Sequence, residues 1–408
     1  MSNEHVVVIG GSHGAAQLVA SLRQEGWTGK ISLVSAEPIV PYHRPPLSKT
    51  YLAGEQHQDE ILIRPANFYE GAEVDLVLGS RVIAINREDK SITLHDGGKI
   101  SYDKLALTTG AKVRRLALPG DHLQGVLYLR DLGDVDRIRQ FTGNGKHAVI
   151  IGGGYIGLET AASLKKCGMH VTVLEALPRV LQRVTAPQIS EFYMRIHREE
   201  GVEVLTGVVA KSINGEGLVE SVSCENDLRL KADLVIIGIG VLPETKLAED
   251  AGLEVDNGIL VDEFARTSDH DIVAAGDCTN HFNPLYQRRI RLESVQNATD
   301  QAKTAAKSLC GKLEPYRALP WFWSDQYDVK LQIAGLSQGY DHVVVRGDWE
   351  KGRSFSVFYF LKEKFIAVDA VNRPKEFMLS RRLLAEGRTP DLTRLGDDSI
   401  PIQDLLKA

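Results

Sequence analysis

The sequence predicts an α/β protein with two Rossmann-like nucleotide-binding domains and a C-terminal α+β domain. A pattern of strand, glycine loop, helix, strand and acidic residue occurs twice, over residues 5–37 and 147–175. From about residue 323 the pattern changes to short alternating strands and a helical tail. We expect the first nucleotide-binding domain to be discontinuous, over 1–112 and 246–322, the second to span 113–245, and the C-terminal domain to span 323–408.

The second copy of the pattern matches the dinucleotide-binding template without exception. Gly152, Gly154 and Gly157 follow a buried strand in G-x-G-x-x-G order, and the strand after the helix ends in Glu175. The first glycine permits a tight turn, the second allows a pyrophosphate to approach the backbone, and the third lets the helix pack on the strand. The helix N-terminus presents free N–H groups to the phosphates. This copy predicts an NAD site.

The acid at the end of that second strand indicates which nicotinamide nucleotide binds. The Glu175 carboxylate can accept hydrogen bonds from both ribose hydroxyls of NADH, whereas a 2′-phosphate would meet a like charge. We therefore expect NADH. Arg179 and Arg183 leave NADPH open, because arginines can bind that phosphate.

The first copy departs from the template at two positions. GGSHGAA, residues 10–16, begins with Gly10 but has Ser12 and Ala15 where the second and third glycines are usual. Serine fits if its φ stays negative, and alanine adds only one methyl group. With Glu37 ending the next strand, we interpret this copy as a second nucleotide site, although a plain turn is the alternative. Two loops favour two nucleotides, a tightly held flavin and an exchangeable nicotinamide.

Composition and charge exclude several classes of protein. The 408 residues are 43% hydrophobic and 25% charged, and the net charge of −6 argues against nucleic acid as the main partner. The longest apolar run, LVIIGIGVL at 234–242, is too short to span a bilayer, and the N-terminus has no cationic segment. We expect a soluble cytoplasmic protein without a signal peptide or membrane association.

The cysteines carry no recognisable redox or metal motif. Cys167, Cys224, Cys278 and Cys310 are far apart in the sequence, so we expect unrelated thiols and no zinc site. The segment 38–52, PIVPYHRPPLSKTYL, has no cysteine.

On these motifs the chain resembles the FAD-dependent, NAD(P)H-using reductases of the glutathione-reductase fold. Among them it is most similar to the ferredoxin reductases of bacterial Rieske dioxygenase and cytochrome P450 systems. The resemblance covers the whole chain and is carried by GGSHGAA, PYHRPPLSK (41–49), TTGA (108–111), LRDL (129–132), GGGYIGLE (152–159), GIGVLPET (238–245), DIVAAGDC (271–278), RLESVQNA (291–298) and LPWFWSDQYD (319–328).

This resemblance implies an activity and a partner. A hydride would pass from NADH to tightly but non-covalently bound FAD, and single electrons would pass to an acidic [2Fe–2S] ferredoxin that feeds an oxygenase, as in aromatic hydrocarbon catabolism. Disulfide reductases of the fold carry C-x-x-x-x-C just after the first βαβ unit. Because segment 38–52 has no thiol, electrons must leave through space.

The resemblance also implies roles for individual residues. Lys49 would reach the flavin, Glu159 would pair with it, and Trp323 would lie beside the isoalloxazine. The alternatives are an exposed lysine, an acid in the first turn of the NAD-loop helix, and a core tryptophan. Glu37 would bind the FAD ribose, and Asp277 the ribityl or phosphate part. The complete set of expected cofactor-binding residues is Gly10, Ser12, Ala15, Glu37, Arg44, Lys49, Val82, Gly110, Arg130, Asp277 and Val295 for FAD, and Gly152, Gly154, Ile156, Gly157, Glu175, Arg183 and Gly238 for NADH.

The acceptor and its docking surface are less closely defined. Arg288, Arg289 and Arg291 in YQRRIR would attract an acidic ferredoxin into a transient, salt-sensitive complex, although a solvated charged loop is the alternative. Rubredoxin or a small quinone is a rival acceptor. An NADH-sensing flavoprotein of the apoptosis-inducing-factor type is a rival of another class. The sequence leaves open whether the chain is a monomer or a homodimer.

Overall fold

The computed structural model describes residues 4–406, which form two units. The first unit comprises Met1–Arg44, His57–Lys112 and Val241–Ala318; the second comprises Pro45–Gln56, Val113–Gly240 and Leu319–Ala408. The predicted domain ends at residues 1 and 408 lie outside the described residues. The three-domain division stays a prediction, because the second unit groups the NAD-loop segment with the C-terminal segment.

The helices of the described residues are, in chain order, α1 (His13–Gln24), α2 (Ala66–Gly71), α3 (Leu132–Phe141), α4 (Tyr155–Lys166), α5 (Pro187–Glu199), α6 (Lys246–Asp250), α7 (Val295–Leu309), α8 (Pro374–Glu386) and α9 (Leu392–Leu395). Short 3-10 helices span Pro45–Ser48, Gln58–Ile61 and Ile402–Leu406.

The strands are β1 (His5–Ile9), β2 (Lys30–Val34), β3 (Val74–Val77), β4 (Val82–Asn86), β5 (Ser91–Leu94), β6 (Lys99–Ser101), β7 (Lys104–Leu107), β8 (Ala111–Val113), β9 (Val126–Leu127), β10 (His147–Ile151), β11 (His170–Glu175), β12 (Glu203–Thr206), β13 (Ala210–Asn214), β14 (Ser221–Cys224), β15 (Arg229–Lys231), β16 (Leu234–Ile237), β17 (Val241–Pro243), β18 (Ile259–Val261), β19 (Ile272–Ala274), β20 (Thr279–Asn283), β21 (Arg288–Ile290), β22 (Trp321–Gln326), β23 (Val329–Gly335), β24 (His342–Asp348), β25 (Ser354–Leu361) and β26 (Lys364–Val371).

A parallel five-stranded sheet, in the order β19-β7-β1-β2-β3, forms the centre of the first unit. Its strands are runs of valine, isoleucine and leucine because both faces are buried. Ile9 pairs with Val34 and Leu107, so the residues that follow these three strands meet at the carboxyl edge of the sheet. Ligands of such sheets bind at this edge.

The second unit contains an equivalent sheet in the order β12-β11-β10-β16-β9. Ile151 pairs with Leu174 and Ile237, which again brings the residues after three strands to one edge. Each of the two parallel sheets contains a strand, β1 or β10, that leads directly into a glycine loop. The two sheets confirm the predicted α/β class and both predicted βαβ units.

The C-terminal segment forms an antiparallel sheet in the order β22-β23-β26-β25-β24, with α8 packed against it. The alternating strands and the helical tail predicted from about residue 323 are confirmed. One face of this sheet packs against two helices of the same unit. Phe322 contacts Tyr155 of α4, and Phe355 contacts Phe192 of α5. Both helices thus share a buried boundary with this sheet.

Within residues 4–406, no helix is both long and apolar enough to cross a membrane.

A buried carboxyl group on β26 gives the protein a specific pH dependence. Burial raises the pKa of Asp369 to about 7, and Tyr359 donates a hydrogen bond to it. The folded protein therefore keeps a proton that the unfolded chain releases above about pH 4. Wild type should lose up to about 1.4 kcal/mol of unfolding free energy per pH unit between about pH 4 and about pH 7, and Asp369→Asn should not. Urea denaturation of both proteins across this range measures the difference; parallel stability curves would contradict the assignment.

Candidate nucleotide-binding and redox site

The glycines of the first loop lie tightly against the neighbouring strands. A Cβ on Gly10, whose φ is +135°, would lie 2.3 Å from the Thr108 carbonyl oxygen, and a Cβ on Gly11 would lie 2.1 Å from Ser35 Oγ. Ser12 has φ −136°, so the condition for serine at this position is met, and Ala15 is fully buried. The loop therefore keeps the dinucleotide-binding geometry despite both departures.

In the same unit the N-terminus of α7 is capped by Ser294, which accepts a hydrogen bond from the Asn297 N–H at 3.1 Å, whereas the N-terminus of α1 is left for a negatively charged group. Ser12 is the N-cap of α1, and within the described chain its side chain makes no capping hydrogen bond, so the first-turn N–H groups have no side-chain cap. Val295 is the first residue of α7, which has 15 residues. Asp277 follows Gly276, which has φ +90° at the end of β19. Of these positions, the uncapped N-terminus of α1 fits the diphosphate of a dinucleotide.

The acidic end of the first copy forms a small cluster. Arg44 pairs with Glu37 and stacks over the Tyr42 ring, 4.5 Å from its centroid, while Tyr42 donates its hydroxyl to Glu37. The structure thus brings together two predicted residues, Glu37 and Arg44. Tyr42 was missed, although it lies within the quoted stretch PYHRPPLSK.

In the second unit, the three glycines of the NAD loop have different physical roles. A Cβ on Gly152 would lie 2.4 Å from the Gly238 carbonyl oxygen, and a Cβ on Gly157 would lie 2.1 Å from the Gly152 carbonyl oxygen. At Gly154 no described atom lies within 4 Å of that position, and φ is −79°. Packing therefore requires the first and third glycines, whereas the second borders open space. Ile156, beside it, is 47% exposed.

Glu175 is held at the loop by the backbone. Its carboxylate accepts hydrogen bonds from the N–H groups of Gly153 and Leu177, both at 2.8 Å. Arg179 donates to the carbonyl oxygens of Thr185 and Gln182, so its guanidinium is engaged in local structure rather than directed at a 2′-phosphate. Arg183 is exposed. The geometry favours NADH.

Replacing Glu175 should change cofactor preference. Glu175→Ala removes both the acceptor for the ribose hydroxyls and the negative charge, so we expect kcat/KM for NADH to fall about 10- to 100-fold and discrimination against NADPH to shrink. Steady-state kinetics with both cofactors measures this, with Glu191→Ala on the exposed face of α5 as the control. Unchanged discrimination would show that Glu175 does not read the ribose.

An ion pair joins two residues implied to lie at the flavin. Lys49 Nζ lies 2.7 Å from Glu159 Oε2, with the Lys49 side chain 18% exposed and that of Glu159 2% exposed. The description of Glu159 as an acid in the first turn of the helix is wrong: α4 begins at Tyr155, which places Glu159 in the second turn, where the helix dipole contributes little. Lys49 is likewise not an exposed lysine. Their position at the flavin stays a prediction.

The two tryptophans of β22 have different surroundings. Trp321 packs with Phe377, and Arg381 lies over it at 5.2 Å, so this ring belongs to the C-terminal core. The Trp323 ring is partly exposed and contacts Trp321 and Phe322. Trp323 is therefore the better placed of the two to contact a ligand.

The remaining predicted cofactor residues occupy loops and element ends. Val82 begins β4 and is buried, Gly110 has φ +67° after β7, and Arg130 precedes Asp131, the N-cap of α3. Their roles in binding the cofactor stay predictions.

Two of the three arginines of YQRRIR are on a strand rather than in a loop, and both stay exposed to solvent. Arg288 and Arg289 lie on β21; Arg289 donates to the carbonyl oxygen of Asn280 at 3.0 Å, and Arg291 pairs with Glu293 at 2.6 Å. The charge of Arg291 is thus partly neutralised, whereas Arg288 and Arg289 remain exposed to a partner.

Two dinucleotide-binding βαβ units lie on one chain, together with an ion pair between buried Glu159 and partly buried Lys49, and segment 38–52 has no cysteine. These features define the class of two-nucleotide oxidoreductases that lack a redox disulfide.

Comparisons with known proteins agree. The chain belongs to the pyridine nucleotide-disulphide oxidoreductase family, whose model matches residues 4–302, and the model of the reductase C-terminal domain matches 321–406. It is 43% identical to putidaredoxin reductase of Pseudomonas putida over 100% of this chain and 98% of that protein. It is 38% identical to the ferredoxin–NAD(+) reductase component of the anthranilate 1,2-dioxygenase system of Burkholderia cepacia, over 100% of both chains. The crystal structure of the covalent putidaredoxin reductase–putidaredoxin complex matches with a TM-score of 0.96 over 100% of this chain and 99% of that chain.

Proposed function

We propose that this protein is an NADH:ferredoxin reductase that supplies electrons to an oxygenase. The observation that carries the proposal is the pair of nucleotide loops with no thiol in segment 38–52. Relatives named as ferredoxin reductases, including 43% identical proteins, support it. An EC 1.18.1-type oxidoreductase activity follows.

The residues of the first unit fit FAD. Gly10 and Gly11 keep the loop close to the sheet edge, and the N-terminus of α1 lies beside it. Glu37, with Arg44, would hold the adenosine ribose, and Asp277 and Val295 the phosphate and ribityl part. When bound, FAD accepts a hydride as an electron pair and releases electrons singly.

The second unit would bind NADH and provide the charged pair. The loop Gly152–Gly157 would bind the pyrophosphate and Glu175 the ribose. Lys49 carries a positive charge that Glu159 fixes in place, and Trp323 would shield a ligand from water. This arrangement orients NADH and keeps the Lys49 ammonium at a defined position.

The acceptor would be an acidic [2Fe–2S] ferredoxin. Exposed arginines such as Arg288 and Arg289 would steer it, and the complex should be weak because turnover requires dissociation. Relatives named rubredoxin–NAD(+) reductase, 38% and 37% identical, make rubredoxin the second candidate.

Cytochrome c reduction by the FAD-loaded protein and NADH distinguishes these acceptors. We expect slow reduction without a carrier, a large increase with a [2Fe–2S] ferredoxin, and loss of that increase at high salt. Stimulation by rubredoxin alone would replace the ferredoxin assignment. No stimulation by either carrier, together with NADH-induced dimerisation, would favour the NADH-sensing alternative.

We further infer that the protein works in the cytoplasm. NADH as donor and four unpaired cysteines suit a reducing compartment. A fusion to a redox-sensitive fluorescent reporter, expressed in the native host, would test this placement.

A further inference from the structure

Glu159 lies at the end of a continuous series of buried hydrogen bonds. Its Oε1 accepts from Ser324 Oγ at 2.6 Å, and Ser324 Oγ lies 3.1 Å from Gln326 Nε2. Gln326 Oε1 lies 2.8 Å from His197 Nε2, and His197 Nδ1 lies 3.0 Å from the Tyr327 hydroxyl. We call Ser324, Gln326, His197 and Tyr327 the donor chain. The first three are fully or nearly fully buried.

The chemistry of these groups fixes the direction of every bond. A carboxylate can only accept, so the Ser324 hydroxyl donates to Glu159 and accepts from the Gln326 amide N–H. The Gln326 carbonyl oxygen must then accept from His197 Nε2–H. His197 Nδ1 is left as an acceptor for the Tyr327 hydroxyl. Burial lowers the pKa of His197 to about 4, which keeps the imidazole in the neutral form that this arrangement needs.

The fold explains how Glu159 and the donor chain, which come from three segments of the chain, meet. Ser324 and Gln326 are two apart on β22 and share the sheet face that packs against α4 and α5. Glu159 lies on α4 and His197 on α5. Tyr327, with φ +56°, occupies the turn after β22.

Of the other groups near Glu159, two approach its other carboxylate oxygen and two are tyrosines that stay neutral. Lys49 and Ser48 approach the opposite oxygen, Oε2, at 2.7 and 2.6 Å. Tyr155 on α4 and Tyr193 on α5 interact electrostatically with Glu159, and burial raises the pKa of both well above the usual value, so they stay neutral. Asp369 on β26 interacts with these tyrosines.

We propose that the donor chain is a positioning device that holds the Glu159 carboxylate in one orientation and, through it, the Lys49 ammonium. Hydrogen bonds donated to a carboxylate stabilise its charged form, and successive bonds of one direction reinforce one another. Ser48 and Lys49 hold one oxygen, and the donor chain holds the other. The proposal rests on the proposed function and on the role that the resemblance implies for Lys49, which is to reach the flavin, and it adds residues up to Tyr327 to the ion pair.

The test measures the flavin midpoint potential of the FAD-loaded protein as a function of pH. Reduction by xanthine and xanthine oxidase with a reference dye avoids NADH, so a failure of the proposed NADH reaction remains distinguishable. We expect the plot of midpoint potential against pH to change slope at one pH in the wild-type protein. In Ser324→Ala this change of slope should occur about one pH unit higher. Gln326→Leu and Tyr327→Phe should move it in the same direction by successively smaller amounts, and Ser324→Thr, which keeps the hydroxyl, should restore the wild-type curve.

Ser190→Ala is the matched control, because Ser190 is a fully buried serine of α5 that donates to the Val180 carbonyl oxygen. If the donor chain has only a structural role, every variant that folds and binds FAD should give the same plot of midpoint potential against pH as Ser190→Ala. If only Ser324→Ala moves the curve, the contact is local and the donor chain is overturned. If Ser324→Ala does not fold, Gln326→Leu and Tyr327→Phe decide the question in the same way.

Discussion

Gly154→Val should abolish productive NADH binding while leaving the fold and the bound flavin intact. A Cβ at Gly154 meets no described atom within 4 Å, and φ is −79°, so the protein itself tolerates a side chain there. Because a Cβ there obstructs no atom of residues 4–406, such a side chain would obstruct a ligand close to the backbone, as a pyrophosphate must be. We expect KM for NADH to rise at least about 100-fold, equivalent to about 2.7 kcal/mol of binding free energy.

The measurement is steady-state NADH kinetics with flavin content determined on the same samples. Gly71→Val is the control, because Gly71 also has no neighbour within 4 Å and has no positive φ. A normal KM in Gly154→Val would show that the nucleotide does not approach this loop.

Arg346→Met should cost more stability than any surface substitution in the C-terminal sheet. The Arg346 side chain is 3% exposed, pairs with buried Glu376 at 3.0 Å, and donates to the carbonyl oxygens of Leu395, Asp397 and Ile400. Removing the guanidinium takes a positive charge away from the buried Glu376 carboxylate. It also leaves the three carbonyl oxygens without this hydrogen-bond donor. We expect a loss of about 3–5 kcal/mol of unfolding free energy.

Urea denaturation measures the loss, and Arg382→Met is the control. Arg382 pairs with Glu386 on the exposed side of α8, where solvent screens such a pair and it contributes little to stability. We also expect the segment after α8 to become more sensitive to protease in Arg346→Met. Equal stability of the two variants would show that Arg346 does not anchor that segment.

Local patterns in the sequence were enough to predict both nucleotide loops. Gly152, Gly154 and Glu175 lie within one βαβ unit, where short-range geometry dictates the residue types. Ser12 was interpretable because its requirement, a negative φ, is a property of that residue alone. The C-terminal strands were predictable for the same reason, since alternation reports burial along a single strand.

Contacts between distant parts of the chain could not be predicted. Ser324 and Glu159 are 165 residues apart, and Ser48 and Glu159 are 111 apart, so no spacing rule joins them. The stretches that contain these serines, RPPLSK and PWFWSDQ, were noted, but only the helix and sheet packing shows that both hydroxyls donate to one carboxylate. The prediction that Glu159 lies in the first turn of the NAD-loop helix was wrong because the helix begins at Tyr155.

An anaerobic titration of the FAD-loaded protein with NADH tests the central claim most directly. The two loops and the absence of a thiol in segment 38–52 require NADH to reduce the flavin without a protein disulfide. We expect about one equivalent of NADH to bleach the flavin absorbance, with the count of free thiols unchanged. Unchanged absorbance, or a gain of thiols on reduction, would contradict this function.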